Sequence, residues 1–189
     1  AEAVVLCHQG QALDLSARVT SVRQADMPAL VAHATQLKTG SLMRLAALLG
    51  ARAAGAPKER REALGRFGAE LGLGLQMLDD WSGIKIDARR HKGIEDIKLH
   101  RPTWPWAWLA HSCDEVRYAN LVRDARRVAI DFEAENLLLR IRTHLDSRVF
   151  ESIQGHLHGA LDRLRSALGT SDALEELQAE VARLEKAYG

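Results

Sequence analysis

The chain has 189 residues, 47% of them hydrophobic, with 26 Lys and Arg against 25 Asp and Glu. This is about one domain with a sizeable core, and a net charge of +1 argues against a general polyanion binder such as a nucleic-acid protein. The two cysteines, Cys7 and Cys113, exclude a disulfide framework or a cysteine zinc site and fit a reducing compartment, the cytoplasm. No apolar run approaches the roughly 18 residues needed to span a membrane, and no signal peptide is visible. The first residue is Ala1, and no cap precedes the first apolar run, so the chain reads as starting inside a larger polypeptide.

The expected fold is all-α, a single helical domain over 1–189. Ala, Leu, Arg and Glu dominate between the four prolines, and no β-branched segment alternates with period two. A first helix is expected over 1–22. Asp26-Met27-Pro28 is a start signal for a second, running to about Leu49. Gly50 to Pro57 reads as a small-residue loop, and Lys58 to Ile84 as a third helix. The basic stretch from Ile84 to Trp104 lacks periodicity and reads as a long loop. A short helix near Trp104 should precede two longer ones, Glu115–Thr143 and Arg148–Leu168. Gly169-Thr170-Ser171 ends one helix and caps the next, whose Leu174, Leu177, Val181 and Leu184 define one apolar face.

Three places put polar groups where an apolar face ought to run. Gln11 and Asp14 project from one side of a half-apolar helix; ordinary exposure is the simpler reading of this pair alone. Lys38-Thr39-Gly40 interrupts an apolar helix with a point charge, a hydroxyl and room for backbone approach, which suits phosphate oxygens. A lysine snorkelling at a solvated edge is the alternative. Gln76 stands one turn before the adjacent Asp79 and Asp80. Neighbouring carboxylates repel unless a cation neutralises them, and two acids at a helix C-terminus oppose its dipole. Carboxylate oxygens are preferred ligands of Mg²⁺. Downstream, Arg89, Arg90, His91, Lys92, Lys98, His100 and Arg101 crowd one segment. A basic segment after an acidic pair suits an anion clamped by metal and cations together; a solvated charge run is the alternative.

Taken together these residues resemble the C-terminal half of a trans-isoprenyl diphosphate synthase, of the polyprenyl synthetase family. Gly10-Gln11-Ala12-Leu13-Asp14-Leu15 matches that family's GQxxDL, and Lys38-Thr39-Gly40 its KTG. Gln76 to Gly83 resembles its second aspartate-rich motif, QxxDDxxD. Asp96, Arg101, Thr103 and Pro105 follow the spacing D-x4-K-x-T-x-P. Gly83 replaces the third acid, Arg101 replaces the closing lysine, and the intervening lysine falls near His91 or Lys92. The family's first aspartate-rich motif and isopentenyl diphosphate site lie upstream of GQxxDL and are not in this chain.

The resemblance implies a partial isoprenoid-synthase bundle whose N-terminal helices are missing. It implies a Mg²⁺-dependent prenyltransferase that condenses isopentenyl diphosphate with an allylic diphosphate. Asp79 and Asp80 would hold one metal; Lys38, Lys92 and Arg101 would bind diphosphate. Gln11, Asp14, Thr39 and Gln76 would order the pocket, with Thr39 and Gln76 near the cationic centre and Lys38, Thr39 and Gln76 catalytic. Family members are commonly homodimers. A non-catalytic family subunit, or a helical partner protein, is the alternative that Gly83 and the missing upstream motif favour. Trp104, Trp106 and Trp108 read as core, with contact to a membrane surface or partner helix as the other possibility. Cys7 and Cys113 read as ordinary buried thiols. His8, His33, His144, His156 and His158 have no metal partner at ligand spacing.

Overall fold

A computed structural model describes residues 2–188, and the described residues form helices joined by short connections, with no strand among them. The first helix, α1, is Glu2–Ser16. It stops six residues short of expectation because Val19 leaves the helix to be fully buried and donates its N–H to the His100 carbonyl, at 2.8 Å. The Arg18 guanidinium covers the freed Leu15 and Ala17 carbonyls, and β-branched Val19, Thr20 and Val22 would in any case extend a helix poorly.

Helix α2 (Met27–Thr35) runs through a π-helical turn, Gln36–Gly40, into α3 (Ser41–Ala53). Pro28 sits in its first turn as expected. The helix continues past Leu49, so the small-residue loop is only its last few residues and Ala54 to Pro57.

Helix α4 (Lys58–Lys85) has 28 residues, about 42 Å at 1.5 Å per residue. It is the axis of the molecule: α3 and α9 make the most extensive contacts with it, and five further α-helices touch it.

The expected loop from Ile84 to Trp104 is instead largely helical, with a 3₁₀ turn (Asp87–Arg89) leading into α5 (Arg90–Lys98). Only Ile94 and Ile97 of α5 face the core, too few to show a period, and tertiary contacts with α4 and α8 hold it. Helix α6 (Trp104–Ser112) follows. Trp104 and Trp106 are buried and Trp108 is packed against the core, so the aromatic knot is core.

The expected helix Glu115–Thr143 is two, α7 (Glu115–Ala125) and α8 (Asp131–His144). The Glu133 side chain accepts from the N–H groups of Ala129 and Ile130, which starts α8 afresh. Asp131 and Glu133 also favour the positive end of its dipole. Helices α9 (Ser147–Leu168) and α10 (Asp172–Tyr188) lie close to the expected bounds. Gly169 takes φ 77°, and Ser171 Oγ accepts from the Leu174 N–H, so these residues end and cap as read.

The core is one cluster reaching from Val19 to Val181, with Leu78, Trp106, Leu109, Leu121, Ile141 and Ile153 almost inaccessible. Cys113 is buried, Cys7 is half-buried and both are free thiols. No helix among the described residues is long and apolar enough to cross a membrane.

Candidate active site

The π turn carries one extra residue per turn of helix, a feature often found at functional sites, and here it presents Lys38 and Thr39. Helix α4 can lie against it because position 72 is glycine. A Cβ there would stand 3.0 Å from both Gly40 Cα and the Thr39 carbonyl oxygen. That approach brings Thr39 Oγ1 to within 3.2 Å of Gln76 Oε1. Gln76 Nε2 donates to Asp80 Oδ1 at 2.8 Å, and the Trp104 N–H donates to Asp80 Oδ2 at 2.9 Å. Trp104 Nε1 closes the circuit by donating to Thr35 Oγ1 at 3.2 Å. The ring of bonds ties α2, the π turn, α4 and α6 together, so the polar residues are fixed by several elements rather than by one.

Beside this circuit lies a cavity of about 290 Å³. Asp14, Lys38, Gln76, Asp79, Asp80, Lys92 and Arg101 line it, with Glu95 and Asp96. Thr39 reaches it through Gln76, while Gln11 is half-buried outside the lining. Lys92 is among the residues that line the cavity, and His91 is not. Sequence reasoning passed over Thr35, Glu95 and the Trp104 N–H. A backbone donor leaves no trace in residue type, and Thr35 looks like any helical threonine.

Each cation of the lining has an acid. Lys38 Nζ is 2.8 Å from Asp14 Oδ2, and Arg101 Nη1 donates to Asp96 Oδ1 at 3.0 Å. Lys92 Nζ is 2.8 Å from Asp79 Oδ1, and Arg89 Nη1 is 3.8 Å from the same oxygen. The adjacent carboxylates therefore have different lives. Asp79 is half-exposed and faces cations. Asp80 is pushed up to about 7 by burial, a shift that the Trp104 and Gln76 hydrogen bonds oppose and the charges of Asp96 and Asp79 increase. Asp96 is also raised, by burial first, with Arg101 opposing.

Carboxylates outnumber cations in the lining, five to three, so the cavity suits a divalent cation and an anion arriving together. Among the described residues no three of His, Cys, Asp and Glu could enclose a metal. The donor set does fit Mg²⁺ held mainly by a ligand's phosphate oxygens and water, which needs only one or two carboxylates. Asp79 and Asp80 both line the cavity: no hydrogen bond engages Asp79 Oδ2 among the described residues, and each oxygen of Asp80 accepts one and keeps a further lone pair.

The polyprenyl synthetase family pattern matches residues 1–130. The chain belongs to the polyprenyl synthetase family. It is 38% identical over 77 residues to a (2E,6E)-farnesyl diphosphate synthase of Mycobacterium tuberculosis, a match covering 39% of this chain and 21% of the relative. It is 38% identical over 89 residues to the geranylfarnesyl diphosphate synthase of Aeropyrum pernix, covering 47% and 27%. In fold it is similar to the heptaprenyl diphosphate synthase of Staphylococcus aureus, with a TM-score of 0.81 at 16% identity, covering all of this chain and 58% of that one. The decaprenyl diphosphate synthase of Rhodobacter capsulatus gives 0.74 at 20% identity, again over all of this chain and 58% of the other. This polyprenyl synthetase chain therefore spans less than two thirds of the length of the relatives it matches, and its all-α fold is that of the isoprenoid synthases.

Proposed function

We propose that this chain supplies the diphosphate-holding wall of a Mg²⁺-dependent trans-prenyltransferase that joins isopentenyl diphosphate to an allylic diphosphate. The observation that carries the reading is the convergence of Lys38, Lys92 and Arg101 with Asp79 on one cavity. Lys38 and Arg101 would each exchange part of an acid contact for phosphate oxygens, as charged hydrogen bonds to phosphate are strong. Magnesium bound between the ligand and Asp79 would supply charge neutralisation of the departing diphosphate.

The remaining roles belong to the polar circuit. Asp80 acts as an anchor for Gln76 and α6, and each of its oxygens keeps a second lone pair that could join Asp79 in holding a metal. The Thr39 hydroxyl donates to Gln76, which leaves its own lone pairs and the amide dipole to face positive charge developing on an allylic carbon. Asp14 holds Lys38 in reach of the cavity, and Gln11 lies one residue from the Gly10 contact with the π turn and supports that contact. The whole chain acts as one helical domain. A homodimer fits the apolar residues exposed on α1 and α3, Val4, Val5, Leu15, Leu42 and Leu49, and the two free thiols fit the cytoplasm.

The test is calorimetric titration of geranyl diphosphate with Mg²⁺ into wild type, Lys38→Met and Arg101→Met. Each substitution should weaken binding at least about tenfold, roughly 1.4 kcal/mol, with helicity unchanged. Equal affinity in both variants would remove the diphosphate site from this cavity. A second reading, a family subunit that binds diphosphate without turning it over, draws on Gly83 in place of the third acid. Product formation by the intact protein from isopentenyl and geranyl diphosphates separates the two.

A further inference from the structure

A second cleft, of about 730 Å³, lies between α7 and the segment 20–25. No residue lines both it and the active-site cavity. The buried Tyr118 ring forms its floor and meets the Trp106 ring of the first cavity edge-on, 6.2 Å between centroids. Glu115, Tyr118, Ala119, Val122 and Arg126 stand three or four apart or side by side, so a single face of α7 supplies one wall. The other wall is tied down near each end of α7. Gln24 Nε2 donates to the Ala110 and Cys113 carbonyls, at 3.0 and 2.9 Å, and so takes up acceptors at the C-terminus of α6. Arg126 Nη2 donates to the Thr20 carbonyl at 2.6 Å. The cleft is therefore held open by the fold itself, and the small side chains of Ala25, Ala110 and Ala119 leave its room.

Its middle is apolar, through Val22, Tyr118 and Val122, and its charges lie at the ends. A concave apolar surface with a few placed polar groups is the usual form of a small-molecule site. Arg126 is exposed, and the Thr20 carbonyl orients its guanidinium without neutralising it. Asp124, two residues before it, pairs with Arg140 instead. Nε and Nη1 of Arg126 make no hydrogen bond among the described residues, and such a fork suits the two oxygens of a carboxylate. Arg23, the other cation of the lining, is already paired with Asp26 at 2.6 Å. Glu115 closes the opposite end, about 16 Å away along α7. One uncommitted guanidinium facing an acid at that distance admits a single negative charge with an apolar chain behind it. A diphosphate, with several charges, has no second cation here.

We propose that this cleft is a second ligand site, for an amphipathic carboxylate. Its head sits on Arg126, and its chain runs along α7 over Val122 and Tyr118 toward Glu115. The site owes nothing to the active-site residues and stands whether or not the first cavity holds a diphosphate.

The experiment is calorimetric titration of dodecanoate, below its micelle concentration, into the intact protein. Wild type should bind, and dodecyltrimethylammonium, a chain of the same length with a cationic head, should bind at least about tenfold more weakly. Ala119→Trp, which fills the cleft from an exposed position, and Arg126→Gln should each lose at least about tenfold. Should Arg126→Gln lose its fold by circular dichroism, Ala119→Trp and the cationic chain decide. Lys38→Met should bind dodecanoate as wild type does. No binding by wild type, equal affinity for the two chains, or an unchanged Ala119→Trp would overturn the proposal. A loss in Lys38→Met would place the acid in the active-site cavity and overturn it as well.

Discussion

Helix α4 and helix α9 lie side by side, yet they bury themselves in opposite ways. Helix α9 inserts Ile153, Leu157, Ala160, Leu161 and Leu164 at spacings of three or four, the single face of a peripheral helix. Helix α4 buries Phe67, Gly68 and Ala69 in succession, and then Trp81, Ser82, Gly83 and Ile84. It is covered by α3, α9, α5, α6 and α8, and five of its twelve buried residues are glycines, four of them (Gly65, Gly68, Gly72 and Gly74) placed where a Cβ would stand within 3.0 Å of a neighbour. A helix packed on one face needs enough apolar volume. A helix packed on all faces also needs space left empty, and its polar residues, Gln76, Asp79 and Asp80, have only the cavity to face.

One contact tests that contrast from both sides. Leu157 of α9 sits on Gly74 of α4, where a Cβ would be 2.3 Å from Leu157 Cδ2 and 2.8 Å from Cγ. Leu157→Ala removes a side chain that is 2% exposed and should cost about 2–5 kcal/mol by urea unfolding. Gly74→Ala should cost about 1–3 kcal/mol through overpacking, reduced by the better helix propensity of alanine. The two should not add: in the double variant the new methyl fills the space the leucine left, and the cycle should show a favourable coupling of more than about 0.5 kcal/mol. Strict additivity would mean that the close approach at Gly74 does not determine how these helices pack.

The same contrast explains what could be read from the sequence. The bounds of α9 and α10 lay within a residue or two of expectation because one apolar face and a Gly169–Ser171 break announce themselves locally. The fold class followed from the absence of any period-two segment. Helix α5 was hidden because two isoleucines and a glycine in nine residues have no period, and its helicity depends on α4 and α8. The end of α1 was hidden because the competitor, a hydrogen bond from Val19 to His100, is 81 residues away in the chain. Within the site, Lys38, Gln76, Asp79 and Asp80 were legible because polar residues broke an apolar stripe. The difference between Asp79 and Asp80 was not, since it depends on a backbone N–H from α6 and on cations from α5.

Asp80 gives a pH test of how α4 uses its enclosed face. Burial is the main cause of its raised pKa, about 7 against an ordinary value near 3.8. Folding therefore favours the protonated acid. That contribution is fully present below the unfolded value near pH 4 and is lost as pH rises to about 7, above which the ionised buried group is a constant penalty. Asp80→Asn keeps an acceptor for the Trp104 N–H and removes the titration. The variant should gain stability relative to wild type between pH 5 and pH 8, by more than about 1 kcal/mol, since one pKa unit corresponds to about 1.4 kcal/mol. A difference that stays flat across that range in paired urea titrations would show Asp80 ionised throughout and the enclosed face more hydrated than its packing implies.

The smallest effect should come from an ion pair that joins α4 and α9 at the solvent edge. Arg163 donates through Nε and Nη2 to Glu70 Oε2, at 3.2 and 3.1 Å, with the two side chains 60% and 32% exposed. The geometry is good, but water competes for both groups, so Arg163→Ala should cost only about 0.2–1 kcal/mol. Most of that should vanish in 1 M salt, where screening acts within about 3 Å. Urea unfolding of both proteins at low and high salt measures the difference directly. A loss that survives high salt would assign Arg163 a packing role, through its guanidinium over Gly159, and the line between the enclosed helix and its peripheral neighbour would then run one helical turn further out.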